Sequence, residues 1–385
     1  MENKTFFSQN LRFFRKKAGM TQKEFASKIG FSDKAVNKWE KTGTIPGINT
    51  ILDICTCLRI SLNELLLFNT NDDFYLAIDG GGTKTEFVLF NETGEFFKRI
   101  TLGASNPNVV GMEKVFDVID EGIERLYIDK DNVRGVFAGI AGCGFEKNSV
   151  RVENHLKEIL KNAVICVESD IMNVIGSVPH IKNCAAIICG TGSVAYAYEN
   201  SVLTRVGGWG YLLELSGSGY DIGRDALIAA ISQRDGIGED TILTEAVEEK
   251  LGSSVWDSID KIYSSKTEFI ASFAPLVFEA CEKGDRVSKG ILQKNAKHMS
   301  DLVEKVMKNH DCSDTLLMSG GLLSKDSVYA KMIEANLGED KHVIIPEIPQ
   351  VFGACIRCLK QCGKDTQMIE KVFESEFKNR RDNNE

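Results

Sequence analysis

No apolar run in the chain approaches the ~18 residues that a membrane-spanning helix needs, and the opening residues, MENKTFFSQN, lack the apolar stretch of a secretory leader. Both absences point away from a membrane and toward the cytoplasm. There the 11 Cys read as reduced thiols, not as a disulfide framework. The 5 His are scattered and suggest no catalytic pairing. What the chain has in quantity is core: 43% of its 385 residues are hydrophobic and 26% charged, which excludes wholesale disorder. At ~150 residues per domain, two or three domains are expected. Charge divides unevenly. Residues 1–70 carry a net +5 and the remainder −14. A basic head can meet a polyanion that the acidic body would repel.

The head reads as five short helices within residues 1–68. Phe7 to Ala18 sets Leu11 and Phe14 among basic residues. Thr21 caps a second helix with Glu24 three places on, a capping box, and Gly30 ends it. Ser32 caps a third, Asp33 to Lys41, that buries Val36 and Trp39. Pro46-Gly47 precedes an apolar helix around Ile51 to Leu58, and Ser61 caps Leu62 to Leu66. Two short helices joined by Gly30-Phe31-Ser32 match the geometry in which the second helix enters a DNA major groove. That helix would expose Asp33, Lys34, Asn37, Lys38 and Lys41. Lys34 and Asn37 suit base edges; Gln22 and Lys23 suit phosphates. The stretch from Thr21 to Leu66 resembles the Cro/lambda-repressor-type helix-turn-helix family. The alternative is a basic helical bundle that binds protein. Cys55 and Cys57 have no metal-ligating neighbours in sequence and read as core thiols.

Asn69 to Asp73 is polar and reads as a linker. Behind it, Phe74 to Asp79 is an apolar run ending in an acid, followed by Gly80-Gly81-Gly82-Thr83-Lys84-Thr85 and a second run, Glu86 to Phe90. Strand, Gly-rich turn, strand is a hairpin. A Rossmann fingerprint or P-loop needs a helix after the glycines. Such a hairpin still brings backbone N–H groups to a phosphate, with the acid placed for Mg²⁺; otherwise it is a plain hairpin with a flexible tip. The device recurs at Gly190-Thr191-Gly192-Ser193, between Ala185 to Cys189 and Val194 to Tyr198. A third glycine turn, Ser319-Gly320-Gly321, follows Thr315 to Met318. Two such hairpins suggest a duplicated lobe with a nucleotide between the halves. Asp170 follows the apolar run Ala163 to Val167, where α/β clefts form; it is also placed to cap a helix from Ile171 to Ser177.

The segments YLAIDGGGTKTEFVLF, GASNPNVVG, FAGIAGCG, ESDIMN, IICGTGSVAYA, GGWGYLL, SGSGYDIGRDAL and SGGLLSK resemble, in that order, the BadF/BadG/BcrA/BcrD-type ATPase family, which includes the N-acetylglucosamine kinases. The resemblance spans about residues 74–357. It implies an α/β fold of two ribonuclease-H-like, actin/hexokinase-type lobes closing on ATP, preceded here by the all-α head. It implies that Asp79 positions Mg²⁺, that Gly80, Gly81, Gly82, Thr83, Lys84 and Thr85 cradle the β- and γ-phosphates, and that Gly190, Thr191, Gly192 and Ser193 form the second phosphate loop. Ser319, Gly320 and Gly321 would lie by the adenosine. Asn106 would hydrogen-bond the sugar, Gly208 and Trp209 would line its pocket, and Asp170 would be the catalytic base. The ROK sugar kinases and repressors are less similar, since their Cys-rich zinc motif is absent here. One departure stands out: where relatives read Gly-Asp-Glu-Gly-Ser, this chain reads Glu214-Leu215-Ser216-Gly217-Ser218. Leu215 takes the place of the family Asp and cannot accept a hydroxyl hydrogen bond, a loss of roughly 1–3 kcal/mol if the sugar is left unpaired. Glu214 is the nearest substitute.

Together these readings predict a helix-turn-helix domain at 1–68, a linker at 69–73, kinase lobes at 74–190 and 191–357, and a C-terminal helix and disordered tail at 358–385. Cys355, Cys358 and Cys362 fall at helical spacing there and read as a buried face. The expected protein is a cytoplasmic homodimer that binds an operator in double-stranded DNA and senses ATP, Mg²⁺ and an N-acetylglucosamine-like sugar. The alternative is a working N-acetylhexosamine kinase that also binds DNA. A third reading, an activator-type ATPase with an iron–sulfur cluster, lacks the Cys pair it needs.

Overall fold

The computed structural model describes residues 6–66, 73–126, 128–144, 146–215 and 217–373. Most of the expected linker, at 69–72, and the tail at 374–385 lie outside the described residues. Contacts divide the chain into two compact units: residues 1–177 with 348–385, and residues 178–347.

The first unit begins with the head: α1 (Phe7–Lys17), α2 (Gln22–Lys28), α3 (Asp33–Thr42), α4 (Ile48–Leu58) and α5 (Leu62–Leu66). The expected caps form. Thr21 and Glu24 close the capping box of α2, and the Ser32 side chain accepts from Ala35 N–H. Leu11, Phe14, Phe25, Val36, Trp39 and Ile54 form the head's core. Cys55 is part of it.

The head leads into a five-stranded sheet: β1 (Phe74–Gly80), β2 (Lys84–Phe90), β3 (Phe96–Gly103), β4 (Val133–Ile140) and β5 (Val164–Glu168), in the order β3-β2-β1-β4-β5. β1, β2 and β3 are antiparallel neighbours, while β4 and β5 run parallel to β1. Phe74 to Ile78 are all buried, as a central strand covered on both faces requires. The second unit repeats the plan strand for strand. Its strands are β6 (Cys184–Cys189), β7 (Ser193–Glu199), β8 (Val202–Val206), β9 (Thr315–Ser319) and β10 (His342–Ile344), in the order β10-β9-β6-β7-β8. The duplicated lobe expected from the two Gly-rich hairpins, and the pair of ribonuclease-H-like sheets that the family resemblance implies, are therefore present.

Two details differ from the sequence expectation. The boundary falls at 177/178 instead of 190/191, because β6 pairs with β7 and β9 and cannot be cut from its own hairpin. The helix Gln350–Gln361 belongs with the first unit, where Gln361 Nε2 donates to Val136 O and Gly353 packs on Asn173. Cys355 and Cys358 on that helix are fully buried, consistent with a core face. Arg286–Asn309 is one long helix, capped by Asp285 and packed through Leu292, Ala296, Met299 and Val303. Among the described residues no helix is long and apolar enough to cross a membrane.

Candidate functional site

In the first unit three backbone segments meet at the first Gly-rich turn. Gly81 N–H donates to Lys84 O at 2.9 Å and closes the β1–β2 hairpin. Gly81 O accepts from both Ser105 N–H (3.0 Å) and Asn106 N–H (3.2 Å), and Gly80 O accepts from Ala141 N–H (2.7 Å). The approach is close: a Cβ on Gly80 would collide with Ser105 Oγ. Gly82, Thr83 and Lys84 stand exposed at the tip. Thr85 differs from the expectation. It is buried, and its hydroxyl donates to Gly103 O at 2.7 Å, so it braces the sheet instead of facing the tip.

Asp79 lies one residue before this turn. Asn173 Nδ2 donates to Asp79 Oδ1 at 2.6 Å. Burial, and next among the raising causes the charge of Asp170, push the Asp79 carboxyl up to about 7. Asp170 caps the helix Ile171–Gly176: its Oδ1 accepts from Ile171 N–H (3.1 Å) and Ser169 Oγ (3.0 Å). Capping and proximity to Asp79 hold together. Burial also raises the Asp170 carboxyl. Asn106 sits on the loop anchored to Gly81, its Oδ1 accepting from Asn108 N–H at 2.9 Å, and Gly142 at φ +82° comes up beside it. Asp79, Asp170, Asn106 and the turn are thus one assembly. Its hard oxygen donors suit Mg²⁺, which takes one or two carboxylates and completes its shell with phosphate and water. Among the described residues no three His, Cys, Asp or Glu side chains converge into a dedicated metal cage.

The second unit builds its own turn. Gly190 N–H donates to Gly192 O (2.8 Å). The N-terminus of the helix Gly219–Arg234 is tied to the same loop, with Gly219 N–H on Gly190 O (2.8 Å) and Tyr220 N–H on Thr191 O (3.0 Å). Thr191, Gly192, Ser193, Gly208, Glu214 and Tyr220 line a cavity of about 210 Å³. Ser319 is buried at the end of β9, and Gly320 at φ +114° passes so close to Cys189 O that no side chain fits. Trp209 is not part of the cavity lining. It is 68% exposed, with the Arg205 guanidinium 5.4 Å from its ring. Glu214 Oε2 accepts from Trp209 N–H at 2.9 Å. Leu215 is 55% exposed.

On the head, Lys23, Lys34 and Lys38 are exposed and Asn37 half-buried, all on α2 and α3. Gln22 differs from the expectation. Its Nε2 donates to Glu40 Oε2 at 2.8 Å, within a buried network in which Arg15 Nε also donates to Glu40 Oε1 at 2.5 Å. The head touches the sheet domain through two lysines: Lys17 Nζ donates to Ile128 O at 2.7 Å, and Lys98 on β3 pairs with Glu64 on α5 at 3.0 Å.

Asn173, Ser105, Glu40 and Tyr220 were not identifiable as site residues from sequence reasoning. For Asn173 a signal existed, since it follows Asp170 by one helical turn. For the others the contacts are long-range and leave no local pattern.

The chain matches the helix-turn-helix family over residues 11–65. It is 31% identical over 290 residues to an N-acetyl-D-glucosamine kinase of Dictyostelium discoideum, covering 70% of this chain and 91% of that one. It is 29% identical to an N-acetylmuramic acid/N-acetylglucosamine kinase of Clostridium acetobutylicum, covering 75% and 99%. A crystal structure of a ROK-family transcriptional regulator, described as a homologue of the E. coli MLC protein, shares the fold with a TM-score of 0.51 at 13% identity, covering 91% of this chain and 99% of that one. With residues 76–355 matched by its family pattern and both β-sheets present, the chain belongs to the BadF/BadG/BcrA/BcrD ATPase family.

Proposed function

We propose that the chain is a DNA-binding transcription regulator whose kinase-like domain binds Mg²⁺-ATP and an N-acetylglucosamine-like amino sugar as its signal. The observation that carries this reading is the head itself. A basic helix-turn-helix with exposed Lys23, Lys34 and Lys38 is hydrogen-bonded directly to the unit that holds Asp79, Asp170 and Asn106. The sugar class comes from the two kinase relatives. A head of this kind binds as one of a pair to half-sites about a helical turn apart, so the active form is a homodimer.

The second reading, a working kinase, is favoured by Asp170. Bound Mg²⁺ and ATP supply a charge-screened γ-phosphoryl group. The residues of this chain do the rest. In the first unit the exposed Gly82 and Thr83 would offer N–H groups to phosphate oxygens and Asp79 would hold the cation; in the second, Thr191 and Gly192 would offer theirs to a phosphate. Asn106 holds the sugar. Asp170, with Oδ1 engaged in its cap, takes the sugar hydroxyl proton on Oδ2 as the new O–P bond forms and the bond to the ADP oxygen breaks. Its raised proton affinity makes it a better base. Leu215 supplies no acceptor to the sugar, and one oxygen of Glu214 is taken up by Trp209 N–H, so weak turnover fits a sensor.

The test is coupled ADP release with Mg²⁺-ATP and a panel of hexoses and N-acetylhexosamines. The sensor reading expects a sugar-dependent thermal shift with little turnover. Turnover that Asp170→Ala lowers by ~100-fold or more establishes the kinase reading. Neither shift nor turnover with any sugar contradicts both.

A further inference from the structure

The helix that carries Asp170 delivers a second polar side chain beneath the first Gly-rich turn. Asn173 is wholly buried. Its Nδ2 donates to Asp79 Oδ1 at 2.6 Å and to Gly139 O at 3.0 Å. Its own Oδ1 is buried without a hydrogen-bond partner among the described residues. The surroundings are shaped for this amide. A Cβ on Gly139 would collide with Asn173 Oδ1, and one on Gly353 with the Asn173 backbone carbonyl, so one glycine leaves room for the amide and the other for the helix backbone that carries it. An apolar side chain would fill the same space without burying an unpaired carbonyl. What the amide adds is its two N–H donors, one on Asp79 Oδ1 and the other on Gly139 O.

We propose that Asn173 is the positioning residue for the cation-binding acid: it ties down Asp79 Oδ1 and presents Oδ2 to the divalent cation that accompanies the nucleotide. This rests on the Mg²⁺-nucleotide reading given above. Asp79 has Asp170 and Glu86 as like-charged neighbours and Lys84 as its attractive one. A free carboxylate there would rotate away from the two acids toward Lys84 at the exposed tip. The Asn173 bond removes that freedom. It also joins the acid and the base, since Asn173 and Asp170 ride on one short helix.

The test reads cation affinity instead of activity. The full chain at fixed ATP is titrated with Mg²⁺, and thermal unfolding gives the Mg²⁺ concentration at half of the nucleotide-dependent shift. Asn173→Ala is expected to raise that concentration about tenfold or more, whereas Asn148→Ala, which removes an amide bond to Gly142 O, leaves it within about twofold. A packing role would lower the Mg²⁺-free unfolding midpoint and leave the Mg²⁺ concentration where it was. That result, or a tightened Mg²⁺ dependence, overturns the proposal. In an Asp79→Asn background, Asn173→Ala should add nothing further; additive losses overturn the proposal. If Asn173→Ala does not fold, Asn173→Ser, whose hydroxyl is too short to reach Asp79, is held to the same criterion. A wild-type chain stabilised by ATP alike with and without Mg²⁺ overturns the cation role and leaves nucleotide binding standing. A chain that ATP does not stabilise overturns both.

Discussion

Burial holds the Asp79 carboxyl near 7 against an ordinary 3.8, so the folded chain keeps a proton that the unfolded chain gives up between about pH 4 and 7. The contribution of this group to stability is therefore full below pH 4 and lost as pH rises through 7. The ligand-free protein carries a destabilising charge at the place where a cation would neutralise it. Asp79→Asn removes the ionisation and keeps an oxygen for Asn173. It is expected to raise the thermal midpoint at pH 8 by about 2–4 °C and to change it much less at pH 5; thermal unfolding at the two pH values checks this. Asp79 and Asp170 both stood out in the sequence, because Asp79 ends an apolar strand run and Asp170 follows one by three residues. Asn173 had only its spacing from Asp170 to mark it, because its contact with Asp79 joins positions 94 residues apart. Thr85 shows the opposite error. Its place in the Gly-rich segment suggested a phosphate contact, but β2 begins at Lys84, and strand alternation turns Thr85 inward toward Gly103.

At the scale of elements, the helix Gly219–Arg234 holds the second Gly-rich turn by its N-terminus. Ser218 and Asp221 close a capping box there: Asp221 Oδ2 accepts from Ser218 N–H at 3.1 Å and from Ser218 Oγ at 2.9 Å. Ser218→Ala removes the cap from a buried position. The expected cost is ~1–2 kcal/mol, read as a lower denaturation midpoint, together with weaker ATP-dependent stabilisation, since Gly190 and Thr191 lose a rigid support. The elements themselves were readable. Thr21 and Ser32 announced α2 and α3, and both hairpins followed from glycines between apolar runs. The unit boundary was not readable. The helix Gln350–Gln361 lies far along the chain from β1 and β4, and its return to them is a tertiary contact with no local signature. The exposure of Trp209 was missed for a related reason: flanking glycines predict an unusual backbone path but not which way the ring turns.

For the molecule as a whole, a sensor must couple its ligand site to the head. Within the first unit a short route exists. Lys98 near the start of β3 pairs with Glu64 of the head, and β3 ends at Gly103, two residues before Ser105 and the anchored Asn106 loop. Movement of that loop on ligand binding would travel along one strand to the head. The ion pair joins largely buried side chains, so Lys98→Met should leave ligand-induced thermal shifts intact while reducing any ligand effect on DNA affinity. The most direct measurement enriches duplexes from a random DNA library with the full chain, with and without N-acetylglucosamine plus Mg²⁺-ATP. It then compares the affinity of the chain for the enriched duplex in the two conditions. The account predicts a recurrent motif whose affinity changes by about tenfold or more, a coupling of ~1.4 kcal/mol or more, and a smaller change in Lys98→Met. Failure to enrich a motif, or equal affinity in both conditions, would contradict it.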